Sequence, residues 1–118
     1  MSYDCYLKDA VTGETLQSDT EHFIRGGTCC IGGCKDLWLN VTFNYAPIIA
    51  KVMPCGIKGF DGKTAVDTIP LLEQAIAKLG DDVVDDYWTA TEGNVKRALN
   101  GLLMFAKMRP DGVWYISY

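Results

Sequence analysis

A glycine-rich segment at residues 56–64 comes closer to a chemical motif than any other part of the chain. It ends in Gly62-Lys63-Thr64 and runs into an apolar segment with helical periodicity. A loop of the form G-x-x-x-x-G-K-[ST] wraps a phosphate with backbone amides at a helix N-terminus. Here five residues, rather than four, separate Gly56 from Gly62. This spacing argues against nucleotide hydrolysis. Two interpretations of the segment stay open: anion binding by Lys63 and Thr64, or a turn followed by a helix cap with no ligand.

The cysteines and the single histidine are the next candidates for chemistry. Cys29, Cys30 and Cys34 are close in sequence, but structural zinc usually takes two well-spaced pairs, and only one C-x3-C is present. A Cys-His nucleophilic pair would use His22 to activate one of these thiols, and no third residue is indicated that would orient the imidazole. The sequence therefore predicts no metal, no cofactor and no enzymatic activity.

Acidic residues follow the first long helical pattern as a short run. They are Asp81, Asp82, Asp85 and Asp86. Several carboxylates together suit a hard cation, and an acidic run can also imitate a phosphate backbone. The order of a calcium loop is absent, and a solvated connection between helices is the favoured interpretation.

Length and charge narrow the class of protein and of partner. The 118 residues suit a single domain over 1–118. A net charge of -4 argues against direct binding to nucleic acid or to an anionic membrane. No segment has the roughly 18 apolar residues of a membrane span, and the N-terminus lacks the pattern of a signal peptide. We therefore expect a cytoplasmic protein with reduced thiols.

Alternation of apolar and polar residues predicts strands in the first half of the chain. A first strand places Tyr3, Cys5 and Leu7 on its core face and pairs back with residues 15–17 across a turn. Residues 22–24 are predicted as a short strand. Paired glycines on both sides of residues 28–31 predict a second hairpin there.

The clearest predicted strand covers residues 37–45, and its two faces differ in composition. The face toward the core is Leu37, Leu39, Val41, Phe43 and Tyr45. The other face is Trp38, Asn40, Thr42 and Asn44. Aromatic and amide side chains of this kind suit stacking on a base or filling a protein interface. Burial beneath the helices, or in a homo-oligomer, explains them equally well.

The second half of the chain predicts helices. A short helix covers residues 47–52, and a longer one runs from Thr64 or Thr68 to about Leu79. A capping box at residues 89–92 starts the last helix at Ala90. A terminal strand over 113–118 completes an α+β domain. We expect a small antiparallel sheet from the N-terminal half, with two main C-terminal helices packed on one face.

Three segments of the chain carry a resemblance to a known group of proteins. Residues 37–45, 62–82 and 87–114 resemble small uncharacterised proteins of tailed-phage and prophage genomes. The resemblance covers most of the chain. It implies an accessory protein made inside an infected bacterium, acting by stoichiometric binding to host proteins or to signalling nucleotides.

The function we predict is therefore stoichiometric binding of a host or phage protein, with neutralisation of a host defence component as its role. The first alternative is a binder of a nucleotide or another phosphate-bearing ligand, with Trp38 or Tyr45 stacking on the base. A weaker alternative is a structural accessory of the virion. The candidate binding residues are Trp38, Asn40, Asn44, Lys63, Thr64, Arg97 and Arg109, of which the last four would meet phosphate.

Overall fold

The computed structural model describes residues 1–22, 24 and 34–118, and it confirms the α+β class. The strands are β1 (Ser2–Lys8), β2 (Gln17–His22), β3 (Cys34–Asp36), β4 (Trp38–Thr42) and β5 (Val113–Ser117). The α-helices are α1 (Ala46–Val52), α2 (Ala65–Ala77) and α3 (Glu92–Met108). Short 3-10 turns cover Phe43–Tyr45 and Lys58–Phe60. Within the described residues, no helix is long and apolar enough to cross a membrane.

The main sheet is antiparallel, with strand order β4-β1-β5. In this register Tyr6 of β1 lies opposite both Trp38 and Tyr115. The sheet is therefore not built from the N-terminal half alone, because β5 supplies one edge from the C-terminal end. Sequence patterns are local and do not report which distant strand pairs with β1, so this part of the prediction was wrong.

The second sheet is a two-stranded pair, β2 with β3. The predicted return of residues 15–17 is confirmed in part, because the Leu16 amide donates to the Leu7 carbonyl at 2.8 Å. The chain then leaves β1, and Gln17 pairs with Asp36 instead. The predicted hairpin at 28–31 lies outside the described residues.

Strand β4 is shorter than predicted. It ends at Thr42, whose hydroxyl accepts a hydrogen bond from the Asn44 amide at 3.2 Å and starts the 3-10 turn. The turn removes Phe43 and Tyr45 from the strand, yet Tyr45 is still fully buried. A threonine side chain that competes for backbone donors is a usual way for a strand to give way to a helical turn.

Helices α2 and α3 pack against the sheet face that carries Leu39 and Trp114. The indole of Trp114 donates to the Thr68 hydroxyl at 2.9 Å, and that hydroxyl donates to the Ala65 carbonyl at 2.7 Å. All three residues have essentially no exposed surface, so this chain of bonds joins β5 to α2 inside the core. Gly101 of α3 lies directly against the Leu39 side chain. The prediction of two C-terminal helices on one face is confirmed.

Helix α3 begins at Glu92 rather than at Ala90. Thr91 is the N-cap, because its hydroxyl accepts from the Asn94 amide at 3.1 Å. Thr89 instead donates its hydroxyl to Asp86, and the Glu92 carboxylate accepts from the Gly80 amide at 2.9 Å. Thr89 and Glu92 therefore do not form the predicted capping box, and the N-cap is Thr91, two residues after Thr89.

Candidate binding surface

The sheet face opposite the helices is lined by side chains from all three strands, and we call it the open face. Its members are Ser2, Asp4, Tyr6 and Lys8 of β1, Trp38 and Asn40 of β4, and Tyr115 and Ser117 of β5. The β1 members are half-buried, and Tyr115 is 46% exposed. The period of two along a strand directs these residues away from the core.

An aromatic row crosses the open face at right angles to the strands. The Tyr6 ring lies 6.3 Å from the Trp38 ring at an interplanar angle of 25°, and 6.0 Å from the Tyr115 ring. The Lys8 ammonium is 3.9 Å from the centroid of Tyr115 and 5.7 Å from that of Tyr6. Burial, followed by the negative charge of Asp4, raises the pKa of the Tyr6 hydroxyl. Rings in these positions attract one another and attract cations.

A polar row lies beside the aromatic row and holds Trp38 in place. Asp4 Oδ1 accepts from the Trp38 indole at 3.3 Å and from Asn40 Nδ2 at 2.9 Å. Asn40 also donates to the Ser2 hydroxyl at 2.6 Å and is only 6% exposed. These bonds satisfy the buried amide and fix the orientation of Trp38. The surface is therefore formed before any partner arrives.

The outer edges of the sheet next to the open face are covered by other parts of the chain. The Tyr87 hydroxyl accepts from the Thr42 amide at 3.0 Å and donates to the Asn40 carbonyl at 3.2 Å. Along β5, Trp114 exchanges two backbone bonds with Gly62 and Lys63, each 2.9 Å long. These positions are not free to pair with an added strand, so side chains of the open face are what the sheet offers to a partner.

The glycine-rich segment 56–64 uses its backbone amides inside the protein. Amides of Gly62, Lys63, Ala65 and Val66 donate to the carbonyls of Trp114, Phe60, Gly112 and Pro110, at 2.8 to 3.1 Å. Gly56 and Gly62 have φ values of 64° and 82°, which favour glycine and explain their presence in a turn. An anion site of the phosphate-loop type needs free amides that converge on one point. The amides of Gly62 and Lys63 at the end of this segment, and those of Ala65 and Val66 at the start of α2, already have partners.

The predicted phosphate-binding cations are not gathered at one point. Arg97 and Arg109 are twelve residues apart along α3, which corresponds to about 18 Å. Arg97 lines a cavity of about 170 Å³ near the start of α3, while Arg109 pairs with Asp111 at 3.2 Å at its end. Lys63 is exposed, and Thr64 is the N-cap of α2. One phosphate cannot contact both arginines.

The predicted aromatic and amide residues fall into two groups. Trp38 and Asn40 meet at Asp4 on the open face. Asn44 lies in the 3-10 turn and donates to the Trp88 carbonyl at 3.0 Å, so it is not part of that face. Tyr45 is buried, with its hydroxyl donating to the Tyr87 carbonyl, and its ring is not available to stack on a base.

The acidic run serves the start of α3. Asp81 pairs with Lys96 at 2.7 Å, and Asp82 accepts from the Gly93 amide at 2.9 Å. A carboxylate at a helix N-terminus is stabilised by the unpaired amides and the helix dipole. Within residues 1–22, 24 and 34–118, no cluster of three or more histidine, cysteine or acidic side chains is placed to hold a metal ion.

His22 is a buried structural residue. Its Nε2 donates to the Asp36 carbonyl at 2.6 Å, and its Nδ1 accepts from the Ile24 amide at 3.3 Å, an assignment made from these partners. With both nitrogens in use, the imidazole is not free to take a proton from Cys34, which lies opposite on β3. Burial raises the pKa of the Cys5 thiol, which keeps it unreactive. Cys29 and Cys30 lie outside the described residues.

Residues of the open face from β1 and β5 are absent from the predicted set. Alternation in β1 places Tyr6 between Asp4 and Lys8, a pattern typical of an ordinary solvent face. Only the pairing of Tyr6 with Trp38 and Tyr115 turns it into the middle of an aromatic row. The aromatic content of residues 113–118 was the available signal, but it did not indicate which strand they join.

Fold and surface together define an α+β protein with one preformed sheet face lined by aromatic and polar side chains. No protein-family model, curated protein or solved structure matches the chain.

Proposed function

We propose that this chain is a non-enzymatic binding protein that holds one partner protein on the open face. The observation that carries the proposal is the row of Trp38, Tyr6 and Tyr115, in register across three strands on the side away from the helices. Aromatic side chains supply most of the binding energy at many protein interfaces. Trp38 is already fixed by its hydrogen bond to Asp4, so it loses little side-chain freedom on binding.

Hydrogen bonding of the candidate catalytic groups supports binding without catalysis. Both nitrogens of His22 are engaged by backbone groups, and Cys5 is inaccessible in the core. Acidic residues of the 81–86 run contact Lys96 and the Gly93 amide. A nucleophile paired with an oriented base is the usual signature of covalent catalysis, and these groups lack that arrangement.

The setting belongs to the proposal and rests on the resemblance of residues 37–45, 62–82 and 87–114 to phage and prophage proteins. In that setting the chain is a cytoplasmic accessory protein that occupies a host component, such as a defence protein, in fixed stoichiometry. One preformed surface is sufficient for such a role. A virion accessory would use the same face against a phage protein, and a homo-oligomer would use it against a second copy.

Two tyrosines near the C-terminus offer a matched test. Tyr115 is 46% exposed on the open face, whereas Tyr118 is 65% exposed and packs its ring against Tyr3 on the other side of the sheet. Tagged wild-type protein, Tyr115→Ser and Tyr118→Ser are used to capture proteins from a bacterial lysate, with each variant first shown to be folded. We expect a protein retained by wild type and Tyr118→Ser to be lost with Tyr115→Ser. Equal capture by all three would contradict the proposal.

A nucleotide-type ligand is the second candidate, favoured by the half-buried Trp38 ring beside Tyr6. Bases stack on such rings, and Lys8 is the cation next to the row. Asp4 and the separation of Arg97 from Arg109 weigh against a phosphate there. A ligand at a hundred times its Kd adds about 2.7 kcal/mol to the free energy of unfolding. A panel of mononucleotides and cyclic dinucleotides in a thermal-shift assay therefore tests it, and we expect no shift.

A further inference from the structure

We infer that the occupant of the open face is an arginine-bearing segment of the partner protein, with a guanidinium stacked on the aromatic row and paired with Asp4. This inference rests on the proposed function, because it names the chemistry of the partner for that same surface. Three features of the face support it: a cation already held there, an incompletely used carboxylate and an acidic cleft at the end of the row.

The open face already binds a cation of its own chain. Lys8 places its ammonium 3.9 Å from the Tyr115 centroid and 5.7 Å from that of Tyr6. The opposite end of the row, at Trp38, has no cation over its ring among the described residues. Indole is the aromatic ring that attracts cations most strongly. A second cation therefore has its best position over Trp38 and Tyr6, away from Lys8.

Asp4 is adjacent to that position and has one carboxylate oxygen to spare. Both of its hydrogen bonds, from Trp38 and Asn40, reach Oδ1. In the part of the chain that the structure describes, Oδ2 has no partner and Asp4 forms no ion pair. A guanidinium is planar, stacks on rings and donates to a carboxylate in the same plane, whereas an ammonium does only part of this. Arginine therefore fits this site better than lysine.

The row continues into a cleft of about 300 Å³ that carries two more carboxylates. Lys8, Asp9, Gly13, Asp61 and Tyr115 are among the residues that line it. Amides of Thr12 and Val11 donate to Asp9 and hold its pKa below the usual range, so it is charged at neutral pH. Lys8 lies four positions after Asp4 along β1, a distance of about 13 Å. An extended segment with arginines four residues apart spans both places.

The charge of the open face favours an arginine-bearing segment over a nucleotide as its occupant. The whole chain carries a net charge of -4, and the face and its cleft hold three carboxylates against the single ammonium of Lys8. Such a surface favours encounter with a basic segment and disfavours encounter with phosphate. The same charge substitutions in the protein should change the affinities for the two ligands in opposite directions, and the test compares those affinities.

The test titrates two probes into nitrogen-15-labelled protein and follows the indole N–H signals. The three tryptophans report on different places: Trp38 on the open face, Trp88 beside Tyr87 past the end of β4, and Trp114 in the core. The probes are the capped peptide Arg-Gly-Ser-Gly-Arg and guanosine monophosphate, with Glu-Gly-Ser-Gly-Glu as the control. We expect the arginine peptide alone to give a saturable shift, confined to Trp38. A Trp38 shift with the nucleotide and none with the arginine peptide would overturn the inference.

Charge variants make the result decisive. Asp4→Asn keeps an Oδ1 acceptor for Trp38 and Asn40, and we expect it to weaken the arginine peptide roughly tenfold. Asp19→Asn, an exposed change of the same charge on β2, should leave the affinity unchanged. Lys8→Gln should raise the affinity for the arginine peptide two- to threefold, because it removes a competing cation. The same change would lower the affinity for a nucleotide. Equal affinity for wild type and Asp4→Asn, or weaker peptide binding by Lys8→Gln, would overturn the inference.

The same experiments separate failure of the inference from failure of the proposed function. If no peptide shifts Trp38 while Tyr115→Ser still abolishes capture of the partner, the arginine assignment is wrong and the binding surface stands. If Tyr115→Ser leaves capture unchanged, the proposed function is wrong whatever the peptides do.

Discussion

The open face and residues 56–64 meet at strand β5, and they differ in where their polar groups are directed. On the open face, Asp4 and Asn40 bond to neighbouring side chains and fix the orientation of the Trp38 ring. In residues 56–64 the Gly62 amide donates to a carbonyl of β5, and directly after them the amides of Ala65 and Val66 donate to carbonyls of the turn before β5. Hydrogen bonds that orient side chains leave a surface for a partner. Hydrogen bonds that use backbone donors instead join parts of the fold to one another. We therefore assign partner binding to the open face and a structural role to residues 56–64.

The largest effect on stability is expected where β5 joins α2. Thr68→Val removes the hydroxyl that accepts from Trp114 and leaves a buried indole donor without a partner. We expect the free energy of unfolding to fall by about 2 kcal/mol in urea denaturation. Thr20→Val, an exposed change of the same kind on β2, should be neutral within about 0.5 kcal/mol. A neutral Thr68→Val would remove the main evidence that this junction is structural.

A smaller loss is expected within residues 56–64. Gly62 has a φ of 82°, where a Cβ is strained although nothing lies within 4 Å of it. Gly62→Ala should lower the free energy of unfolding by about 1 kcal/mol, through backbone strain alone. Gly80→Ala is the matched control, because its φ is not positive and its added Cβ would make ordinary contacts. Similar values for the two variants would show that the turn at Gly62 is not constrained by β5.

The stability of the protein at alkaline pH tests the packing of Tyr45 against Tyr87 beside β4. Burial, then the neighbouring Tyr87, raises the pKa of Tyr45 to about 12, above the ordinary value near 10. The folded state therefore binds this proton more tightly than the unfolded chain. The resulting stabilisation is complete below pH 10 and is lost as the pH rises toward 12. We expect urea denaturation to show this decline in wild type and a smaller decline in Tyr45→Phe. Identical slopes would contradict the assignment.

Local patterns predicted the parts of the fold that depend on neighbouring residues. Alternation in residues 2–8 and the apolar stripes of α2 and α3 follow from the geometry of a strand and a helix, and those elements are present. The unusual composition around Trp38 and Asn40 likewise identified β4 as a surface of interest. These features need no knowledge of distant partners.

Other parts of the candidate site depend on contacts between distant residues and were missed. Tyr6 gains its place only through pairing with Trp38 and Tyr115, which are 32 residues or more away in the chain. The amides of Ala65 and Val66 are occupied by carbonyls of Gly112 and Pro110, which no local spacing reports. A motif match describes which groups are present, whereas tertiary structure decides which of them remain free.

The central claim is that binding energy comes from the open face and not from residues 56–64. The most direct test measures the Kd of the captured partner for wild type, Tyr115→Ser and Lys63→Ala. We predict a loss of about 2 kcal/mol, or roughly thirtyfold, for Tyr115→Ser and no change beyond twofold for Lys63→Ala. A large loss with Lys63→Ala and none with Tyr115→Ser would contradict the account and return the function to the glycine-rich segment.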